Sequence, residues 1–214
     1  MPPHPGDRTV RIVCISDTHT LHDRLVVPDG DVLVHTGDLS RRGTEREIRA
    51  FDLWLGTLPH RHKLVVAGNH DFGFQDASGS TGWLVHGRYL QDVAVTIDGV
   101  RFYGSPWQPW FHDWAFNLPR GEPLAAVWAR IPADTDVLLT HSPPHGILDA
   151  TVYGEHVGCE ELADAVARLR PRLHVFGHIH EGYGELVREG TRFVNASSCN
   201  VRYQPVNAPI VVDL

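Results

Sequence analysis

Five short apolar segments constrain the fold of this chain more than any other feature of its sequence. Each is rich in β-branched residues and lacks regular polar alternation, as is typical of strands buried on both faces. The segments are VRIVCIS, DVLVHTG, KLVVAGN, DVLLTHS and LHVFGHI, at residues 10–16, 31–37, 63–69, 136–142 and 173–179. Strands of this kind must be covered on both faces, so they predict a layered α/β protein.

Helical patterns lie between these segments. Thr44 and Glu47 have the spacing of a capping box, and they precede apolar residues at helical spacing as far as residue 58. The spacing of apolar residues also predicts helices over residues 159–169 and 123–130. The chain therefore alternates predicted strands with predicted helices.

Two β-hairpins are predicted as well, over residues 93–104 with an Asp-Gly turn and over residues 185–195 with a glycine turn. Together with the helices they predict a mixed sheet or a pair of sheets. The Trp-rich segment at residues 105–121 follows neither period, and we interpret it as a long surface loop. A length of 214 residues suits one domain, which we place at residues 10–214 after a flexible leader at residues 1–9.

The net charge and the cysteines argue against several classes of protein. A formal net charge of −7 at pH 7 disfavours a protein that binds long nucleic acids or anionic membranes through a basic surface. No apolar run in the sequence approaches the roughly 18 residues that a membrane-spanning helix needs. The three cysteines are widely spaced and odd in number, so they predict a reducing, cytoplasmic location rather than a disulfide framework.

Histidine is abundant, with 15 residues in 214, and it is the commonest neutral metal ligand in proteins. The metal-capable residues follow the carboxyl ends of the predicted strands, where sites assemble in α/β sheets. These residues are Asp17, His19, Asp38, Asn69, His70, His141, His178 and His180. Each short motif alone is also typical of a solvated turn, but five strand ends that deliver such groups to one edge predict a metal site.

The motifs occur in the order Asp-x-His, Gly-Asp, Gly-Asn-His-Asp, His and Gly-His-x-His between residues 17 and 180. In this order the sequence resembles the calcineurin-like metallophosphoesterase superfamily. The segments GSPW, WAFN, HGILD, HVGCEEL, LHVFGHIHEGYG and NAS resemble its metallophosphoesterase-domain-containing subfamily. The resemblance implies an α/β fold of the four-layer αββα sandwich type, with a dinuclear metal site at the strand ends.

The resemblance also implies a role for each ligand. Asp17, His19 and His180 correspond to ligands of the first metal ion, Asn69, His141 and His178 to ligands of the second, and Asp38 to the bridge between them. The mixed carboxylate, imidazole and amide donors suit two divalent ions, with Mn²⁺ expected first and Fe or Zn²⁺ as alternatives. Two ions about 3.5–4 Å apart would hold phosphoryl oxygens and activate a bridging water as the attacking hydroxide.

His70 is by resemblance a catalytic residue together with Asp38. It is expected beside the leaving group, where it donates a proton or stabilises the developing charge. In the phosphoprotein phosphatase branch, a carboxylate three residues after the bridging aspartate orients this histidine. Arg41 occupies that position here, so either Asp71 orients His70 or no carboxylate does.

Several residues near the predicted ligands are candidates for substrate binding. They are Arg41, Arg42, Trp107, Trp110 and His145. The two arginines follow the bridging aspartate and can reach a phosphate, although exposed charges at a helix start have the same pattern. The tryptophans, with Phe111 and Trp114, offer surfaces for a nucleobase or, equally, packing for a long loop. The histidine lies four residues after a predicted ligand and is a candidate for the mouth of the site.

The sequence therefore predicts a metal-dependent phosphoesterase that hydrolyses a phosphodiester in a small molecule, such as a cyclic nucleotide or a related nucleotide. One alternative is a phosphomonoesterase of broad specificity. Another is a non-catalytic metal-binding scaffold member of the fold, which the complete ligand set disfavours. A nuclease that acts on long nucleic acid is disfavoured by the acidic net charge and by the scarcity of basic clusters.

Overall fold

Two β-sheets that pack face to face form the centre of the protein. The computed structural model describes residues 9–75 and 80–214. The predicted leader at residues 1–9 lies outside the described residues except for Thr9. Strands near both ends of the described chain pair with each other in the first sheet, where Cys14 lies opposite Ile210.

Thirteen strands occur in the described part of the chain. They are β1 (Arg11–Ile15), β2 (Val32–Thr36), β3 (His62–Val66), β4 (Arg88–Tyr89), β5 (Val93–Ile97), β6 (Val100–Ser105), β7 (Gln108–Pro109), β8 (Asn117–Leu118), β9 (Val137–Thr140), β10 (Leu173–Phe176), β11 (Gly184–Arg188), β12 (Thr191–Asn195) and β13 (Ile210–Asp213). The first sheet has the order β13-β1-β2-β3-β4 and the second β11-β12-β10-β9-β6-β5, while β7 pairs with β8. Strands β1, β2 and β3 are parallel, as are β6, β9 and β10, so their carboxyl ends lie at one edge of each sheet.

Four α-helices are formed by the described residues. They are α1 (Glu45–Thr57), α2 (Phe72–Gln75), α3 (Glu122–Trp128) and α4 (Glu160–Leu169). The predicted capping box is present, because Thr44 Oγ1 accepts the Glu47 N–H at 3.3 Å and Glu47 Oε2 accepts the Thr44 N–H at 3.0 Å. The three helices predicted from spacing are confirmed, with ends shifted by one or two residues. None of the helices within residues 9–75 and 80–214 combines the length and apolarity needed to span a bilayer.

Alternate residues of each central strand face opposite layers of the protein. Ile12 of β1 belongs to the cluster between the two sheets, whereas Val13 packs in the outer cluster with Phe51 of α1. In the second sheet, Val137 of β9 lies in the inner cluster, and Leu138 packs in a third cluster with side chains of α3 and α4. Each fully buried side chain of this kind contributes about 1.5–3 kcal/mol to folding. The arrangement confirms the predicted four-layer αββα sandwich.

Both predicted hairpins are confirmed as β5–β6 and β11–β12. The interpretation of residues 105–121 as a surface loop is only partly right. The segment contains β7 and β8, and Ala115 and Phe116 are buried in the outer cluster of the first sheet. The aromatic side chains that broke the periodic pattern therefore serve partly to anchor the segment to the core. Strand β13 was not predicted, although its apolar run at residues 209–212 has the composition of a strand.

Candidate metal centre

Loops that follow β1, β2, β3, β9 and β10 bring the seven predicted ligands together. These ligands are Asp17, His19, Asp38, Asn69, His141, His178 and His180, and all are buried or half-buried. Their side-chain contacts divide them into two groups that share the carboxylate of Asp38. Parallel strands with aligned carboxyl ends account for this convergence.

The first group consists of Asp17, His19 and His180. The Nε2 atom of His180 lies 3.4 Å from Asp17 Oδ1 and 3.3 Å from the Nε2 atom of His19. His19 Nε2 in turn lies 3.8 Å from Asp38 Oδ2. Two imidazole nitrogens and a carboxylate oxygen within 4.8 Å of one another can hold a divalent ion.

The second group consists of Asn69, His141 and His178. The amide oxygen of Asn69 lies 2.9 Å from His141 Nε2 and 2.9 Å from His178 Nδ1. Asp38 Oδ1 lies 3.5 Å from the same Nε2 atom of His141. The two oxygens of Asp38 thus face different groups, and this is the position that a bridging carboxylate needs. The donor set fits two divalent ions in its chemistry and in the convergence of its ligand atoms.

Four of the seven ligands have a left-handed backbone conformation, which is uncommon for residues other than glycine. Their φ angles are 51° for Asp17, 43° for His19, 55° for Asp38 and 70° for His178. Such conformations cost about 1–3 kcal/mol each and collect at functional sites. These left-handed conformations turn the backbone at the strand ends so that the side chains point toward the other ligands.

A glycine precedes three of the ligands, and each glycine makes room for another ligand. A Cβ atom at Gly37 would overlap His141, one at Gly68 would overlap Asp38, and one at Gly177 would overlap Asp17. The Gly-Asp, Gly-Asn and Gly-His pairs of the sequence are therefore packing requirements of the centre.

Hydrogen bonds from the surrounding residues orient the ligands. The Nδ1 atom of His141 lies 2.9 Å from the carbonyl oxygen of Thr36, and that of His180 lies 3.0 Å from the carbonyl oxygen of Asn200. These bonds leave both Nε2 atoms directed at the centre, as is usual for metal-ligating histidines. Asp17 accepts a hydrogen bond from Ser197 Oγ at 2.9 Å.

Two buried histidines that the sequence motifs did not reveal lie behind the ligands. His35 of β2 lies 3.0 Å from the hydroxyl of Thr18, which stands between two ligands of the first group. His174 of β10 lies 2.9 Å from the hydroxyl of Thr140, which directly precedes His141. Burial lowers the pKa of both histidines to about 3, so each is neutral at pH 7.

The ligand histidines differ in charge when no metal is bound. Burial disfavours the cationic form of His141, but the carboxylate of Asp38 outweighs it and raises the pKa of His141 to about 9. The hydrogen bond to Asp17 likewise outweighs burial and raises the pKa of His180 to about 9. Burial dominates at the other two and lowers the pKa of His19 to about 4 and that of His178 to about 3. One histidine in each group therefore carries a proton that a metal ion would have to displace.

A backbone carbonyl group orients the side chain of His70. Its Nδ1 atom lies 2.9 Å from the backbone carbonyl oxygen of Arg41, and its Nε2 atom lies 3.9 Å from Asp38 Oδ2. Arg41 thus supplies a backbone acceptor at the position where the phosphoprotein phosphatase branch has a carboxylate. Asp71 does not orient His70, because its carboxylate accepts hydrogen bonds from Ser40 Oγ at 2.6 Å and from the Gly68 N–H at 2.8 Å.

A cavity of about 730 Å³ opens beside His70. Arg41 and Arg42 line it, as their positions after Asp38 suggested. Trp114 lies against His70 with 4.3 Å between ring centroids, and the ring of Tyr203 lies 6.4 Å from that of His70. Trp114 and Tyr203 also line this cavity, so the ligand groups adjoin a cavity with aromatic walls.

Comparisons with known proteins show the family of this chain. Residues 10–182 match the family described as Calcineurin-like phosphoesterase. The chain belongs to this family. Metallophosphoesterase domain-containing protein 1 of Homo sapiens is 46% identical to it, over 99% of this chain and 73% of the human protein. UPF0046 protein K07C11.7 of Caenorhabditis elegans is 43% identical, over 98% of this chain and 77% of the nematode protein.

A solved structure supports the fold of this calcineurin-like phosphoesterase. The protein TT1561 of Thermus thermophilus superposes with a TM-score of 0.59 at 17% identity, covering 88% of this chain and 89% of that one. Family membership assigns the chain to the metallophosphoesterases, which are metal-dependent hydrolases. Candidate metal clusters among the described residues include Asp17 with His19 and His180, and Asp17 with Asp38 and His141.

Three of the predicted substrate contacts lie elsewhere in this phosphoesterase. Trp107 packs against Phe116, and its indole N–H donates to Asp92 at 2.8 Å, so it anchors the loop. Trp110 is 60% exposed and does not line the cavity beside His70. His145 lines a different cavity between α4 and β12, because its loop is held at Cys159 rather than at the metal ligands.

Arg202 and Tyr203 also line the cavity beside His70, and the sequence patterns did not reveal them. Tyr203 packs edge-on against His19, with 4.7 Å between ring centroids, and lies 5.6 Å from His180. These residues follow the last family motif and carry no local pattern of their own. A positive φ of 56° at Tyr203 is the one unusual feature, and it is visible only in the structure.

Proposed function

We propose that this phosphoesterase hydrolyses a phosphodiester in a small nucleotide, with two divalent ions bound to its seven ligands. The observation that carries the proposal is the position of Asp38, whose two oxygens face separate groups at 3.5 and 3.8 Å. When bound, the ions would hold the phosphoryl oxygens and lower the pKa of a water molecule between them. Mn²⁺ is the proposed ion because hard oxygen donors and imidazoles are mixed in both groups, and Fe or Zn²⁺ would also fit.

His70 is proposed to protonate the leaving oxygen. The Arg41 carbonyl fixes Nδ1, so Nε2 is the atom available on the side of Asp38, where the scissile phosphate would lie. A general acid must lie within hydrogen-bond distance of the leaving oxygen. Because the bond to Arg41 already fixes the imidazole ring of His70, proton transfer requires no further ordering of this side chain. The main chain thus performs the orienting role that a carboxylate performs in related enzymes.

The proposed nucleotide specificity rests on aromatic surfaces beside this histidine. Trp114 and Tyr203 both lie near His70 and line the cavity. Flat aromatic faces of this kind bind nucleobases by stacking, which contributes about 1–3 kcal/mol per base. The three cysteines are free and buried, which supports the proposed cytoplasmic location.

A phosphomonoesterase is the second candidate, and the arginines favour it. Three arginine side chains line the cavity, and a monoester carries more negative charge than a diester. We favour the diester because the cavity is larger than a phosphate needs and has aromatic walls.

The test compares matched substrates on metal-loaded protein. We expect a higher kcat/KM for bis-p-nitrophenyl phosphate than for p-nitrophenyl phosphate, and a higher value for cyclic AMP than for AMP. Trp114→Ala should raise KM for the nucleotides more than for the nitrophenyl esters, while Trp110→Ala serves as the matched control outside the cavity. A preference for monoesters would support the second candidate. Bound metal without any turnover would identify a scaffold protein.

A further inference from the structure

Arginines from two distant parts of the chain converge on the cavity beside His70. Arg41 and Arg42 come from the loop between β2 and α1, and Arg202 comes from the loop between β12 and β13. Asp113 is the one carboxylate among the described residues that line the same cavity. The cavity therefore has a net positive charge before any metal ion is considered.

The guanidinium groups are available to a ligand. Arg41 Nε donates to the carbonyl oxygen of His19 at 3.4 Å, which leaves its terminal nitrogens free beside the first ligand group. Within residues 9–75 and 80–214, the side chains of Arg42 and Arg202 have no hydrogen-bond acceptor or ion-pair partner. An unpaired guanidinium at the wall of a cavity is a ready partner for a phosphate group.

Hydrogen bonds hold both arginine loops in place. Glu47 Oε1 accepts the backbone N–H of Arg41 at 3.2 Å, so the capping box of α1 also fixes the first arginine loop. Asn200 Oδ1 accepts the backbone N–H groups of Arg202 at 2.9 Å and Gln204 at 3.1 Å. The carbonyl oxygen of Asn200 in turn faces His180 Nδ1, so the second loop is tied to a metal ligand.

The charges exceed what a simple diester needs. Two divalent ions, the carboxylates of Asp17 and Asp38 and the attacking hydroxide would together leave one positive charge for the scissile group, which carries one negative charge as a diester. The three arginines, less Asp113, add two further positive charges in the adjoining cavity. A phosphate monoester carries about −1.5 to −2 at pH 7, which matches that surplus.

The geometry points to a second phosphate site formed by Arg42 and Arg202 with Arg41. The preferred substrate is then a nucleotide diester that also carries a phosphate monoester, and this inference rests on the proposed function. In such a substrate, the metal ions would bind the diester, the aromatic side chains would stack on the base, and the arginines would bind the second phosphate. A second phosphate site accounts for the positive charge of the arginines, so that charge does not require the metal ions to bind a phosphate monoester.

Competition by two related nucleotides tests the second phosphate site. Adenosine 3′,5′-bisphosphate and adenosine 3′-monophosphate would be compared as inhibitors of bis-p-nitrophenyl phosphate hydrolysis by the metal-loaded protein. We expect the bisphosphate to bind at least about tenfold more tightly, since one charge-assisted contact is worth that much. Arg42→Gln and Arg202→Gln should each reduce this ratio severalfold. Arg172→Gln, which removes the same charge at the opposite end of β10, should keep it.

The possible results distinguish failure of the second phosphate site from failure of the proposed diester hydrolysis. Equal inhibition by both nucleotides would overturn the second phosphate site. A bisphosphate preference that persists in both cavity variants would also overturn it, because the metal ions would then be its cause. If the protein hydrolyses no diester, the proposed function fails, and calorimetric titration of the two nucleotides into metal-loaded protein still measures the affinity ratio. Loss of the preference in Arg172→Gln would show that only net charge matters and would overturn the assignment.

Discussion

Metal binding should release protons from the protein. His141 and His180 each have a pKa of about 9 in the absence of metal, so at pH 7 both are protonated. Each lies in a different ligand group, so each ion must displace about one proton. Because the pKa lies about two units above pH 7, removing this proton costs on the order of 2.7 kcal/mol per histidine. We therefore expect the Mn²⁺ association constant of each site to rise about tenfold per pH unit between pH 6.5 and 8.5.

Calorimetric titration of Mn²⁺ in buffers of different ionisation enthalpy measures the number of protons released. We expect about one proton per ion at pH 7. Substitution of His180 by Asn should remove the proton release that accompanies the first group and leave that of the second. A pH-independent association constant, with no proton released, would show that the two histidines are already neutral and would refute the reasoning.

The same pKa values fix a trend in stability for the metal-free protein. Both histidines have a folded pKa above their ordinary value of 6.5, so the stabilisation from their carboxylate partners is complete below that pH. It is lost as the pH rises through about 9. Urea unfolding in the presence of a chelator should therefore show this contribution to the free energy of unfolding decline from pH 7 to pH 9.

Three further predictions concern single residues. Asp38→Ala should lose bound metal and activity together, whereas His70→Ala should keep its metal and lose turnover by about 10²–10⁴-fold; equal metal loss in both would end the acid role of His70. His174 is neutral when buried, so its stabilisation is present above pH 6.5 and falls toward pH 3 by about 1.4 kcal/mol per pH unit. His174→Leu should flatten the dependence of unfolding free energy on pH between 5 and 6.5, and parallel curves would contradict this. Gly177→Ala should lose metal because its Cβ would overlap Asp17, while Gly82→Ala has open space and should bind metal normally; equal metal content would contradict the packing argument.

The fold and the ligand positions could be predicted because they leave local patterns. A buried parallel strand is a short apolar run, and each ligand follows such a run, often directly after a glycine. The pair Gly177 and His178 shows why, since the glycine lets the chain pass against Asp17. Helix α1 was predictable for the same reason, because Thr44 and Glu47 mark its start within four residues.

The substrate cavity could not be predicted in the same way, because its parts are distant in sequence. Arg202 and Tyr203 lie on a loop that is placed by contacts distant in sequence, such as those of the Asn200 carbonyl with His180 and of Tyr203 with His19. In the Trp-rich loop, composition could not distinguish Trp107, which is packed inward, from Trp114, which lies against His70. The orientation of His70 depends on a backbone carbonyl, and no side-chain motif records that.

We propose that seven side chains bind two divalent ions and that the carboxylate of Asp38 contacts both ions. Elemental analysis of protein reconstituted with excess Mn²⁺, together with a crystal structure of that protein, tests it most directly. We predict two Mn²⁺ ions per chain, one in each ligand group, with one oxygen of Asp38 on each side. Occupancy by one ion at most, with Asn69 and His141 turned away from it, would contradict the claim.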